Sequence, residues 1–297
     1  MPVRSADDLT ASVLAAVGGA TDPRRRRIMQ SLVTHLHAFV RDVELTEAEF
    51  REATGVLQEM GRLCTDSHNE FVLMSGSLGV SALVCLQNNT GEGRETTSQN
   101  LLGPFWRMHS PRIADGGSIV HSPTAGEPLF VELRIVDDEG RPVEGAEVDI
   151  WQCNGEGLYE NQDETQADHN LRGKFSTGAD GAIRFRSVKP SGYPIPVHTV
   201  VGRMLEAQQR HPYRPAHVHA LVFKPGYKTL VTQVYASDDP RLESDVQFGA
   251  TQALSANFER HTGPHAVHAD VAGPWHSLRH TLVMRPGEAR LPQPPIK

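Results

Sequence analysis

The apolar pattern of this 297-residue chain changes period near residue 100, and that change constrains the fold more than any other feature. Before it, Ile28, Leu32, Leu36, Phe39 and Val43 recur three or four residues apart, followed by Phe50, Ala53, Leu57, Met60 and Cys64. Such spacing puts apolar side chains on one face of a helix. Local signals agree. Asp22-Pro23 reads as an N-cap and first helical position ahead of the four arginines 24–27, and Thr46-x-x-Glu49 reads as a capping box. A third stretch, FVLMSGSLGVSALVCL, is expected to form a buried helix interrupted by Gly76 and Gly79.

After residue 100 the pattern becomes short alternating runs broken by Gly, Pro and Asp. They are FVELRIV (130–136), AEVDIWQC (146–153), GAIRFRSV (181–188), HVHALVF (217–223), YKTLVTQVYA (227–236) and RHTLVMR (279–285). Alternation with turn residues between the runs predicts an antiparallel β-sandwich. The expectation is an α+β chain: a helical segment over 1–100 and a sandwich over 101–297.

Charge and cysteine use narrow the function classes. Net charge is −7 with the basic residues spread out, so nucleic acid is not an expected partner. No run of about 18 apolar residues occurs, so no membrane span is expected. Cys64, Cys85 and Cys153 are an odd set without metal spacing, read as buried reduced thiols. With no secretory pattern at the N-terminus, the expected location is the cytoplasm.

Four residues could carry chemistry. His217 and His219, in HPYRPAHVH, lie two apart in a predicted strand and so project from the same face. Tyr159 stands in NGEGLYENQ and Tyr193 in KPSGYPIP. Two imidazoles and two phenols form a hard, partly anionic donor set, which suits a trivalent, oxygen-loving metal better than zinc or copper. Phenolate favours Fe(III), and a ferric ion that binds a catechol dianion can make the ring reactive towards O2. A phenol of pKa about 10 that leaves the metal can also take up a catechol proton. Two other readings stay open: a zinc hydrolase built on the HxH, which would need a further His or carboxylate, and a non-catalytic sandwich that binds a ligand or partner protein.

The segments LLGPFWR (101–107), VEGAEVDIWQCNGEGLYE (143–160), GYPIP (192–196), RPAHVH (214–219) and PGYKTLVTQVY (225–235) carry a resemblance. In their order and spacing the chain resembles the intradiol ring-cleaving dioxygenases, the catechol 1,2-dioxygenase and hydroxyquinol 1,2-dioxygenase group. The resemblance implies an N-terminal helical dimerisation domain, a homodimer with a phospholipid site at its interface, and an antiparallel β-sandwich catalytic domain. It implies one non-haem Fe(III) per subunit, held by Tyr159, Tyr193, His217 and His219, with Tyr193 leaving as substrate binds. Arg214 would stabilise negative charge on the substrate, and Gln233 would stand on the oxygen-binding side. Leu73, Gly76, Gly103, Pro104, Phe105, Ile195 and Pro196 would line the pocket.

The implied partners are a small aromatic diol and O2, the product a cis,cis-muconate-type acid, and the setting aromatic compound degradation. The alternative within the family is a hydroxyquinol-specific enzyme giving maleylacetate, towards which the GPF wording at 103–105 leans. Three positions depart from the family pattern. Gly76 stands where hydroxyquinol enzymes tend to be acidic, and would leave space there without a partner for a third hydroxyl. Ala220 replaces the usual aromatic, and His198-Thr199 follows GYPIP and Val197.

Overall fold

A computed structural model of the chain describes residues 3–65, 68–88 and 97–295, and these fall into two compact units, Met1–Glu59 and Met60–Lys297. The first holds helices α1 (Ala6–Val17), α2 (Pro23–Asp42) and most of α3 (Glu47–Leu63). The expected caps form. Asp22 accepts from the backbone N–H of Arg24 and Arg25 at 2.8 and 3.1 Å, and Thr46 and Glu49 close their reciprocal box at 2.9 and 3.3 Å. Asp7–Arg41 (2.7 Å) and Thr10–His37 (2.9 Å) tie α1 to α2. Neither α1 nor α2 buries a residue, and Leu36 and Phe39 stay 52% and 53% exposed.

In the second unit the third apolar stretch forms two helices, α4 (Glu70–Ser77) and α5 (Val80–Gln87), bent by 75°. The break falls at Gly79, whose φ of 72° is a left-handed conformation that a residue without Cβ adopts cheaply. The expected burial does not hold: Val72, Val80, Leu83 and Val84 are half exposed. Among the described residues no single helix is long and apolar enough to cross a membrane.

The rest of the unit is strand-rich. In chain order come β1 (Gly117–Ser118), β2 (Pro128–Asp137), β3 (Glu147–Trp151), β4 (Arg172–Ser176), β5 (Ala182–Val188) and β6 (Tyr193–Pro194). Helix α6 (Val200–Ala207) precedes β7 (Tyr213–Arg214), β8 (His217–Phe223), β9 (Leu230–Ala236), β10 (Ser255–Ala256), β11 (Phe258–His261) and β12 (Trp275–Met284). Two five-stranded sheets form, ordered β1-β5-β2-β12-β11 and β10-β9-β8-β3-β4, with β6-β7 as a separate two-stranded pair. Val131, Leu133 and Ile135 of β2 and Val218, Ala220 and Val222 of β8 share one continuous core.

The sheets are mixed, not strictly antiparallel. β12 pairs parallel with β2, as β1 does with β5 and β10 with β9, while hairpin neighbours such as β8 and β9 are antiparallel. A tight turn forces reversal only between consecutive strands; β12 meets β2 after a long crossover that leaves either direction open. Helix α6 was not predicted. Thr199 caps it by accepting from the Gly202 N–H at 3.3 Å, and Val200, Val201 and Leu205 bury its inner face.

Candidate metal centre

Strand β8 is buried on both faces along nearly its whole length, a burden its alternation explains. Val218, Ala220 and Val222 face the core; His217, His219 and Leu221 face the other way. Ala220 therefore fills the core, its side chain directed away from the two imidazoles. Register adds the neighbours: His217 sits opposite Tyr235, His219 lies between Gln233 and Trp151, and Tyr193 on β6 lies opposite Arg214 on β7.

The four expected donors meet. Tyr159 Oη lies 3.3 Å from Tyr193 Oη, which is 3.4 Å from His217 Nε2, which is 3.2 Å from His219 Nε2. His217 Nδ1 is 2.7 Å from the Pro215 carbonyl, an acceptor only, so this nitrogen carries the proton and Nε2 keeps its lone pair for the cluster. Trp151 stacks on the His219 ring at 4.6 Å and 12°. Gly103, with φ 73°, passes so close that an added β-carbon would stand 3.3 Å from His219 Cε1.

Phe105 packs on Tyr159 with ring centroids 4.6 Å apart. Arg172 secures this wall: it donates to the Phe105 carbonyl and, through Nε, to Glu160 at 2.6 Å. Leu73 and Ile195 pack together with Val201, Leu205 and Val246, whereas Pro104 and Pro196 are exposed. The space expected beside Gly76 is absent, because the Gln247 carboxamide lies where a β-carbon at 76 would be.

Family-model matches decide the family: "Dioxygenase" over residues 102–286 and "Catechol dioxygenase N terminus" over 22–96. The chain belongs to the intradiol ring-cleaving dioxygenases. It is 42% identical to a hydroxyquinol 1,2-dioxygenase of Rhizobium sp. over 84% of each chain. With a second, from Nocardioides simplex, it shares 38% over 94% of this chain and 95% of that one. The crystal structure of a Pseudomonas putida hydroxyquinol 1,2-dioxygenase superposes with a TM-score of 0.85 at 36% identity, covering 95% and 99% of the two chains.

In this dioxygenase chain the cluster is electrically poised. Burial, then the nearby Arg214 charge, pushes His217 down to about 3, and burial followed by His217 holds His219 well below the usual imidazole range. Burial raises both phenols, Tyr159 most strongly. Without a cation the site thus holds two neutral imidazoles and two protonated phenols. A bound cation reverses the balance for the phenols, since its charge favours their anions. Among the described residues no cluster of three or more His, Cys, Asp or Glu could hold a metal, so an ion here needs the tyrosine oxygens. That fits a hard trivalent ion and leaves the zinc reading without its third ligand.

Sequence reasoning missed the frame around Arg214. Buried Arg214 donates through Nη2 to Tyr235 at 2.7 Å and to Gln233 at 2.9 Å, and pairs with Asp245 at 3.3 Å. Tyr235 in turn donates to Gln233. Asp245 also accepts backbone N–H groups from Gln247, Gly249 and Ala250. Burial opposes its charge, and Arg214 outweighs that effect and holds the carboxyl low. Tyr235 could have been found, since it lies two residues beyond Gln233 on one strand; Asp245 carried no sequence signal.

These shifts give the metal-free protein an acid-sensitive fold. An unfolded His217 titrates near 6.5 and the folded one near 3, so between those values the unfolded chain binds the proton that the folded chain excludes. Stability is full above about pH 6.5 and declines as pH falls through the window, with Asp245 contributing in the same direction at lower pH. Thermal melts of metal-free protein should fall in Tm from about pH 7 to about pH 4. A Tm that rises or stays flat over that range would contradict buried neutral imidazoles.

Proposed function

We propose that this protein is an Fe(III)-dependent intradiol dioxygenase, with one non-haem ion per subunit held by Tyr159, Tyr193, His217 and His219. It takes a catechol-type diol and O2 and cleaves the ring between the two hydroxyl-bearing carbons, giving a cis,cis-muconate-type product that keeps both oxygen atoms. The convergence of the four donor atoms within 3.2–3.4 Å steps carries the reading. Fe(III) bound there would supply Lewis acidity, drawing electron density from the diol so that its ring becomes open to O2.

The two phenols divide the work by burial. Tyr159 is 1% exposed and wedged against Phe105, so it stays in place. Tyr193 is half-buried on a two-residue strand pair, less enclosed than Tyr159, so it is the phenol that turns aside and takes a diol proton. Arg214, fixed by Asp245, Tyr235 and Gln233, sets a buried positive charge beside His217, where it offsets negative charge developing on the ring. Leu73, Gly103, Phe105 and Ile195 provide apolar walls, with Pro104 and Pro196 at the exposed rim.

The names of the relatives favour hydroxyquinol among the diols, since both curated relatives above and the superposed structure carry that activity in their names. The product from it would be 3-hydroxymuconate, tautomer of maleylacetate. A homodimer through the helices of region 1–100 is what the family resemblance implies, and the exposed apolar residues of these helices support it. α1 and α2 bury nothing in a single subunit, and an apolar stripe of this kind calls for a partner surface or an enclosed lipid chain. The three cysteines form no disulfide with one another, Cys153 being buried and Cys64 and Cys85 half-buried, which fits a reducing cytoplasm.

The visible spectrum of the purified, iron-supplied protein tests the reading. A tyrosinate-to-Fe(III) charge-transfer band, moving to longer wavelength when catechol is added without oxygen, is the expected result. A protein that stays colourless after ferric iron is supplied would return the fold to a binding role.

A further inference from the structure

Burying a guanidinium costs free energy that only well-placed acceptors recover, and Arg172 is buried completely. Its acceptors lie behind the metal centre. Nε donates to Glu160 Oε1 at 2.6 Å, and Nη1 donates to the Phe105 carbonyl. Glu160 follows Tyr159 and opens the short turn Glu160–Gln162, in which the Gln162 side chain accepts the Tyr159 N–H at 3.1 Å. Phe105 rests its ring on Tyr159 with centroids 4.6 Å apart. One guanidinium thus joins the turn that carries this phenol to the wall against which the phenol lies.

The same arrangement reaches His219. The His217 ring is fixed by its Nδ1–H on the Pro215 carbonyl, whereas His219 Nδ1 has no acceptor among the described residues. Packing holds this second ring instead, with Trp151 stacked on it and Gly103 close to Cε1. Trp151 pairs with His219 on β8 and with Arg172 on β4, so the three side chains stand in a row on one face of the sheet. Arg172 ends that row, and it pins the Gly103 loop two residues further on, at Phe105.

We propose that Arg172 is a positioning residue for the metal centre: by tying Glu160 to the Phe105 carbonyl it sets the angle at which the Tyr159 oxygen meets the ion. The inference rests on the dioxygenase reading above. Phenolate-to-metal charge transfer depends on that angle through orbital overlap, so the residue acts on colour as well as on rate. Arg107 also donates to Glu160, at 3.2 Å, but its other partner is the exposed Asp168. It braces the carboxylate without reaching Phe105.

The test reads the tyrosinate-to-Fe(III) band in a Tyr193→Phe background, where Tyr159 alone supplies the colour. Arg172→Lys keeps the charge but loses the planar fork that spans both acceptors. The double variant Glu160→Gln, Arg172→Met removes both charges together, so neither is left buried alone. Both should retain a folded, iron-binding protein whose band is displaced and weakened. With Tyr193 restored, kcat should fall by roughly 10–100-fold, the usual loss when a group supporting a metal ligand is removed, with KM changed far less. Arg107→Gln should leave the band in place. A band and a kcat unchanged in both Arg172 variants, with only Tm lowered, would overturn the assignment and reduce Arg172 to a structural ion pair. A wild-type protein that stays colourless with ferric iron would instead overturn the dioxygenase reading beneath it.

Discussion

Tyr193→Phe should keep iron and lose turnover. The substitution removes one oxygen from a half-buried ring and leaves Tyr159, His217 and His219, which are almost fully buried, to hold the ion. The charge-transfer colour should persist, carried by Tyr159. What is lost is the oxygen that accepts the diol proton, and positioned proton transfer is worth about 10²–10⁴ in rate. The expected kcat falls by that factor, with anaerobic diol binding slowed. Tyr159→Phe should behave differently, bleaching the protein and weakening iron retention, because that phenol has no room to leave. If Tyr193→Phe turned over diol at the wild-type rate, its role as base would be wrong.

Asp245→Ala should be the most destabilising single change near the site. Arg214 is 4% exposed and Asp245 5%, and the carboxylate is the only acidic group paired with that guanidinium among the described residues. Removing one partner of a buried pair leaves an uncompensated charge, at a cost of about 3–5 kcal/mol. It also strips acceptors from the backbone N–H groups of Gly249 and Ala250. Denaturant unfolding at neutral pH would read the loss directly. Asp245→Asn, which keeps an acceptor, should lose less stability but still let Arg214 drift, visible as a lower kcat with iron retained. A loss below about 1 kcal/mol for Asp245→Ala would mean that Gln233 and Tyr235 alone neutralise the arginine's burial.

The family likeness has a physical root in strand register. Tyr193 and Arg214 are 21 positions apart yet face each other across β6 and β7, and Gln233 and Tyr235 reach the histidines only because β9 pairs with β8 in one register. A slip of one residue would turn His217 and His219 into the core and Val218 outwards. The apolar alternation of β8 therefore fixes the facing of the two imidazoles as firmly as it fixes the sheet.

The sequence by itself determined the helical first third, its caps and most of the longer strands, and it singled out the four candidate donors, because those depend on periodicity, local hydrogen bonds and residue chemistry. Asp22 and Thr46 cap as read, and His217 and His219 share a face as their spacing requires. Only the tertiary structure decided that β12 runs parallel to β2, that the third apolar stretch stays half exposed, and that Asp245 holds Arg214. It alone filled the notch at Gly76 with a side chain from 171 residues further along. Strand direction across a crossover, and the partner of a buried charge, are set by which distant segments pack together, and no local pattern encodes that choice.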